Sequence, residues 1–185
     1  MAHIQVIVGS TRPGRVGRKI ADWYVDGLKL PAGSTVEIVD LAEENLPFLD
    51  EAMPAMYGQY EKNHTKAWAE KIAKADGYVW VTPEYNHAPS PALLNAISYL
   101  NAEWRFKPVA FVGYGTLGAT RAVQTLVGAA SELNMVAVRE RVAVLEPWAS
   151  VSEAGEITPD YIKGDKDAQI EKLVQWAEGT KSLRG

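Results

Sequence analysis

Five short runs dense in branched apolar residues punctuate the chain: His3–Val8, Thr35–Asp40, Tyr78–Thr82, Lys107–Val112 and Met135–Val138. Each has the length of a strand, and most are apolar at consecutive positions, the pattern of strands covered on both faces. Between them, apolar residues recur at the three-and-four spacing of one helix face. The sets are Ile20, Trp23, Tyr24 and Leu28; Trp68, Ile72 and Ala75; Leu93, Leu94, Ile97 and Leu100; Ala122, Leu126 and Ala129; and Ile170, Leu173, Val174 and Trp176. The helices are expected over Val16–Leu28, Glu61–Ala75, the stretch after Pro91, the stretch ending near Leu133, and Asp165–Lys181. Turn residues agree with these limits: Leu30-Pro31-Ala32-Gly33 and Asp76-Gly77 end two helices, and Ser90-Pro91 is a cap followed by proline at the first helical position. This alternation predicts an α/β chain, a single domain over residues 1–185. Its expected architecture is a doubly wound five-stranded parallel sheet of order 2-1-3-4-5 with helices on both faces.

One stretch breaks the alternation. From Leu41 to about Tyr60, Pro47 and Pro54 block a continuous helix, yet Leu46, Phe48, Leu49, Met53, Met56 and Tyr57 make the segment too apolar for a free linker. Tyr99, Trp104 and Phe106 are likewise expected to resist burial in one small domain, which points to a contact with a second copy. Trp23, Trp68 and Trp176 fall on helix faces expected to pack inward.

Composition narrows the chemistry. A formal charge of −4 gives no basic stripe for nucleic acid. With no cysteine there is no disulfide, thiolate ligand or cysteine nucleophile, and three scattered histidines lack metal-ligand spacing. No run approaches the roughly 20 apolar residues of a membrane span, and Met1-Ala2-His3-Ile4 lacks the features of a secretory signal. The cytoplasm is the expected location.

The candidate chemistry lies in the loops after the first, third and fourth strands, which the expected order makes neighbours at the carboxyl edge of the sheet. The first, Gly9-Ser10-Thr11-Arg12-Pro13-Gly14-Arg15-Val16-Gly17, joins a strand to a helix and offers backbone N–H groups, hydroxyls and two guanidinium groups. Such a turn is an anion cradle, suited to the phosphate of a cofactor. Gly17-Arg18-Lys19 is not the Gly-Lys-Ser/Thr end of a Walker loop, and Gly9, Gly14 and Gly17 do not match a dinucleotide fingerprint. The second loop, Pro83-Glu84-Tyr85-Asn86-His87-Ala88-Pro89, is a stiff wall fit for a flat heterocycle. Glu84 either orients that loop or caps the next helix, and His87 is either a proton donor or a positioning residue. The third, Gly113-Tyr114-Gly115-Thr116-Leu117-Gly118, lets backbone approach a ligand where a helix N-terminus favours negative charge.

Together, Gly-Ser-Thr-Arg-Pro-Gly-Arg after the first strand, Pro83-Glu84-Tyr85-Asn86 with Leu94-Asn95-Ala96-Ile97, and Tyr114-Gly115 resemble the NADPH-dependent FMN reductase family, which includes flavodoxin-like quinone, azo-dye and chromate reductases. The resemblance covers essentially the whole chain. It implies a flavodoxin-like fold, a non-covalent FMN, NADPH or NADH as hydride donor, and a small-molecule electron acceptor served in a ping-pong cycle. Homodimers or homotetramers, with sites near the subunit boundary, are implied as well. By position, Ser10, Arg12, Arg15, Val16 and Gly17 would surround the FMN phosphate. Pro83, Glu84, Tyr85, Asn86 and His87 would line the isoalloxazine ring, and Tyr114, Gly115, Thr116 and Gly118 its pyrimidine side. No side chain is implied as a nucleophile, because the cofactor carries the chemistry. Arg15 and Gly17 replace a serine and an asparagine common in the family, so the phosphate would meet more charge and fewer neutral donors. An electron carrier and a non-enzymatic nucleotide-binding protein remain as alternatives on the same fold.

Overall fold

The computed structural model describes residues 1–184. Its sheet is built from β1 (His3–Val8), β2 (Thr35–Asp40), β3 (Gly77–Pro83), β4 (Pro108–Gly115), β5 (Val136–Leu145) and β6 (Ile162–Lys163), in the order β2-β1-β3-β4-β5-β6. The first five are parallel, as the alternation requires; β6 is a two-residue antiparallel addition beside β5. The expected five-stranded sheet therefore has a sixth strand, too short to leave a pattern in the sequence.

Alternate side chains enter two cores. Ile4, Val6 and Val8 of β1, Val79 and Val81 of β3, and Ala110 and Val112 of β4 pack against α1 (Gly17–Val25) and the C-terminal helix. Ile7, Tyr78, Trp80, Val109 and Phe111 point the other way, onto helices that follow β2, β3 and β4. The short α2 (Leu41–Glu44) starts directly at the end of β2, where the Asp40 carboxylate accepts from Ala42 N–H at 3.1 Å. It precedes α3 (Asn63–Ala73), α4 (Pro91–Ser98) and α5 (Thr120–Glu132). A four-residue α6 (Pro147–Ser150) follows β5, and α7 (Lys166–Gly179) closes the chain.

Three expectations are corrected. β5 runs on to Leu145 through a bulge between Val109 and Phe111 of its partner, which absorbs the charged Arg139-Glu140-Arg141. The buried Gln169 amide fills the irregularity, its Nε2 donating to Phe111 O at 3.0 Å and Glu140 O at 2.9 Å. Its Oε1 accepts from the buried Tyr24 hydroxyl at 2.9 Å. Second, Tyr99 and Trp104 are wholly buried rather than left for a partner. Trp104 meets Tyr78, Trp80 and Trp68 edge-on at centroid distances of 4.8, 5.9 and 6.4 Å, and its indole N–H reaches Ile97 O. Trp104, packed on three rings with its own N–H bonded, needs no partner chain. Third, Trp176 is 45% exposed, because the inward stripe of α7 is Ile170, Leu173, Val174 and Ala177.

The segment after α2 is irregular, as its prolines require. Phe48, Met56 and Tyr57 are exposed, with a single short helical turn at Ala55–Tyr57. Among the described residues no helix is long and apolar enough to cross a membrane.

Candidate functional site

The loop between β1 and α1 leaves its amides free. α1 starts at Gly17 with no side-chain cap. Among the described residues, the N–H groups of Thr11, Arg12, Gly14, Val16, Gly17 and Arg18 have no protein acceptor; the Arg15 N–H is used internally, to Arg12 O at 3.1 Å. Unpaired amides at a helix start are where an anion binds. Arg12 is exposed and makes no ion pair among the described residues. Arg15 is placed differently from Arg12: its guanidinium pairs with the buried Asp40 carboxylate at the end of β2, and Arg18 approaches the same carboxylate at 3.7 Å. The Arg15 Nε remains buried with no partner, a donor still available to a ligand oxygen.

Ser10 is fully buried and ties two loops together, its Oγ 2.8 Å from the Tyr85 hydroxyl. Tyr114, at the end of β4, presses its hydroxyl on α1: a Cβ on Gly17 would lie 2.5 Å from the Tyr114 oxygen, so any larger residue there would have to displace that hydroxyl. Burial pushes the Tyr114 pKa up, against a smaller opposing effect of Ser10. Ser90, the N-cap of α4, adds a further link by donating to Gly9 O while accepting from Leu93 N–H.

In the second loop, Pro83 is buried at the end of β3, opposite Tyr114. Tyr85 and Ala88 exchange both backbone bonds, at 2.9 and 3.0 Å, around Asn86 and His87. Asn86 and His87 have φ of +50° and +66°, a tight two-residue turn that holds both exposed at its tip. Glu84 caps a helix, but α5 rather than the α4 that follows it. Its carboxylate accepts from Arg121 N–H at 2.9 Å and Ala122 N–H at 3.2 Å, and pairs with the Arg121 guanidinium at 3.0 Å. Burial pushes the Glu84 pKa up, but the Ala122 and Arg121 hydrogen bonds outweigh it and leave the group below its ordinary value.

That cap changes the third loop. The expected free helix N-terminus is partly met by a carboxylate, on Arg121 and Ala122; the N–H groups of Thr116, Leu117, Ala119 and Thr120 have no protein acceptor among the described residues. The turn is tight: Gly115 O accepts from Gly118 N–H and from Glu146 N–H. Gly118 takes φ +62°, with a Cβ there lying 2.6 Å from Ala143 Cβ.

Beside these loops is a cavity of about 710 Å³, bounded by Thr11, Arg12 and Tyr85 on one side and by Leu46, Pro47 and Phe48 on the other. Residues outside the three loops shape this edge too. Asp40 orders Arg15, while Asn95 and Tyr99 hold the 47–50 segment. The position of Asp40 at a strand's carboxyl end was a signal for it; Tyr99 gave none.

An open parallel sheet whose three contacting loops meet at the carboxyl edge, one of them an amide-rich cradle, defines a flavodoxin-like nucleotide-binding protein. The chain belongs to the NADPH-dependent FMN reductase family, whose model matches residues 2–149. It is 37% identical over 190 residues to the NAD(P)H-dependent FMN reductase ntnL of Nectria sp, covering 98% of this chain and 90% of that one. A quinone reductase of Pseudomonas putida is 28% identical, with 95% and 94% of the two chains covered. The solved flavoenzyme NAD(P)H:(acceptor) oxidoreductase FerB of Paracoccus denitrificans superposes with a TM-score of 0.71 at 20% identity, over 97% of this chain and 99% of that one. The protein is accordingly an oxidoreductase using FMN and NAD(P)H. Its residues fit that cofactor: free amides and an orphaned Arg15 Nε for the phosphate, and further free amides in the third loop and at the start of α5.

Proposed function

We propose that the chain passes electrons from NAD(P)H to a small organic acceptor, a quinone or an azo compound, from an FMN held by the three loops. The observation that carries this reading is the group of unbonded N–H groups at the start of α1. The amides of Thr11, Arg12, Val16 and Gly17, with the Arg12 and Arg15 side chains, hold the phosphate. Ser10 acts through Tyr85, fixing the loop of Pro83, Glu84, Asn86 and His87 against the isoalloxazine ring. Tyr114, Gly115, Thr116 and Gly118 border the pyrimidine side, where the Thr116 and Leu117 amides meet the negative charge that grows on reduction.

Bound flavin supplies two-electron redox chemistry: hydride from NAD(P)H, with one proton from solvent, converts a quinone to its hydroquinone. The chain's own part is to bind, orient and stabilise charge. The quinone reductase relative supports the choice of acceptor. Exposed Met56 and Tyr57 support a homodimer or homotetramer, working in the cytoplasm.

Steady-state kinetics with NADPH and 2-methyl-1,4-naphthoquinone test the reading. Parallel double-reciprocal lines are expected. Quinone left unreduced while NADPH is present would overturn it.

A further inference from the structure

The side chains of Asn95 and Tyr99 close on a piece of backbone that the three loops do not use. Asn95 Nδ2 donates to Pro47 O at 2.7 Å, and its Oδ1 accepts from Leu49 N–H at 2.9 Å. One side-chain amide thus grips the chain on both sides of Phe48. The Tyr99 hydroxyl lies 3.1 Å from Pro47 O, 3.2 Å from Phe48 O and 3.1 Å from the Asp50 carboxylate. Burial, and then the bond to Asp50, push its pKa up to about 12, so it remains a donor throughout the neutral range. Pro47 removes further freedom through its fixed φ.

The consequence falls on Phe48. Its backbone is held and the residue is 83% exposed, yet it also walls the 710 Å³ cavity next to Arg12 and Tyr85. Backbone held on both sides of the ring spares a ligand the entropy of ordering that segment when it binds. The rest of the wall is chiefly apolar, including Leu41, Leu46, Pro91 and Ala96. Arg12 carries the one charge in that lining among the described residues. With Arg12 committed to the flavin phosphate, the remaining wall is neutral. A small oxyanion would leave water there for apolar surface, whereas an uncharged flat molecule would not.

Building on the FMN function proposed above, we infer that Phe48, held outward by Asn95 and Tyr99, determines acceptor specificity. It forms one wall of a subsite beside the flavin loops that takes uncharged planar acceptors in preference to metal oxyanions. Asn95 and Tyr99 are positioning residues in this arrangement, acting through Phe48.

The test uses the oxidised, FMN-loaded protein, titrated calorimetrically with 2-methyl-1,4-naphthoquinone in the absence of NAD(P)H. Bound flavin is measured by absorbance in the same samples. Phe48→Ala is expected to weaken binding about threefold to tenfold, the range of one aromatic contact, with flavin content kept and with Phe48→Tyr restoring affinity. Asn95→Ala is expected to weaken binding in the same direction, by freeing the wall. The ratio of kcat/KM for the naphthoquinone over chromate should fall in both. Wild-type affinity in a flavin-loaded Phe48→Ala variant would overturn this inference alone. A loss that tracks dissociation of the assembly in sedimentation would overturn it too, by making Phe48 an interface residue. A wild-type protein that holds no FMN would overturn the function on which it rests, and this inference with it.

Discussion

Glu84 commits its carboxylate to the first amides of α5, and that choice sets where negative charge can be received at the sheet edge. The cap binds the second loop to α5 and leaves the Thr116 and Leu117 amides, with those of Ala119 and Thr120, without a protein acceptor. Because the folded-state pKa is lowered, the stabilisation is complete above the ordinary value of 4.5 and is lost as pH falls through the folded value. Glu84→Ala should cost about 1–2 kcal/mol at pH 7, and urea titrations should show the gap between the two proteins closing in acid. A gap that is the same in acid would contradict the cap. Arg12→Ala should raise the FMN dissociation constant about tenfold to hundredfold, the worth of a charge-assisted bond; fluorescence titration with FMN reads it directly, and an unchanged constant would remove Arg12 from the phosphate. Residue types were legible at this scale, but partners were not. Nothing near Arg15 in the chain announces Asp40, 25 positions away, until β2 lies beside β1.

At the scale of elements, β1 and β2 have the limits that their apolar runs indicate, and β3 and β4 extend those runs by a few residues at most. Short runs of consecutive apolar positions bounded by turn residues mark strands covered on both faces. β5 was half legible, since Arg139-Glu140-Arg141 reads as the end of a strand although the strand continues beyond it. What permits the continuation lies about 30 residues on, in Gln169, whose amide satisfies the carbonyls that the bulge leaves over. Gln169→Leu should destabilise the fold by about 3 kcal/mol, because two buried carbonyls and the Tyr24 hydroxyl lose their partner together. Equilibrium unfolding in urea measures this, and a loss below about 0.5 kcal/mol would show that the bulge is held by other means.

The whole molecule keeps its aromatic cluster inside and its longest irregular segment outside. Sequence patterning treated Trp104 and the 46–60 segment alike; the structure separates them, burying Trp104 among Trp68, Tyr78 and Trp80 and leaving Phe48, Met56 and Tyr57 exposed. The distinction rests on three-dimensional neighbours, which hydrophobicity along the chain does not contain. If the exposed segment covers a second copy, Met56→Glu with Tyr57→Glu should shift the protein to a smaller species in sedimentation velocity; a monomeric wild type would rule that association out. The placing of the three loops at one edge was legible because it follows from strand order alone. The absorbance spectrum of the purified protein, taken before and after anaerobic addition of NADPH, tests most directly whether the three loops hold a reducible flavin. Flavin bands, present at once or gained with added FMN, are expected to bleach within seconds. A protein that shows no such bands even after incubation with FMN would contradict a flavin site there.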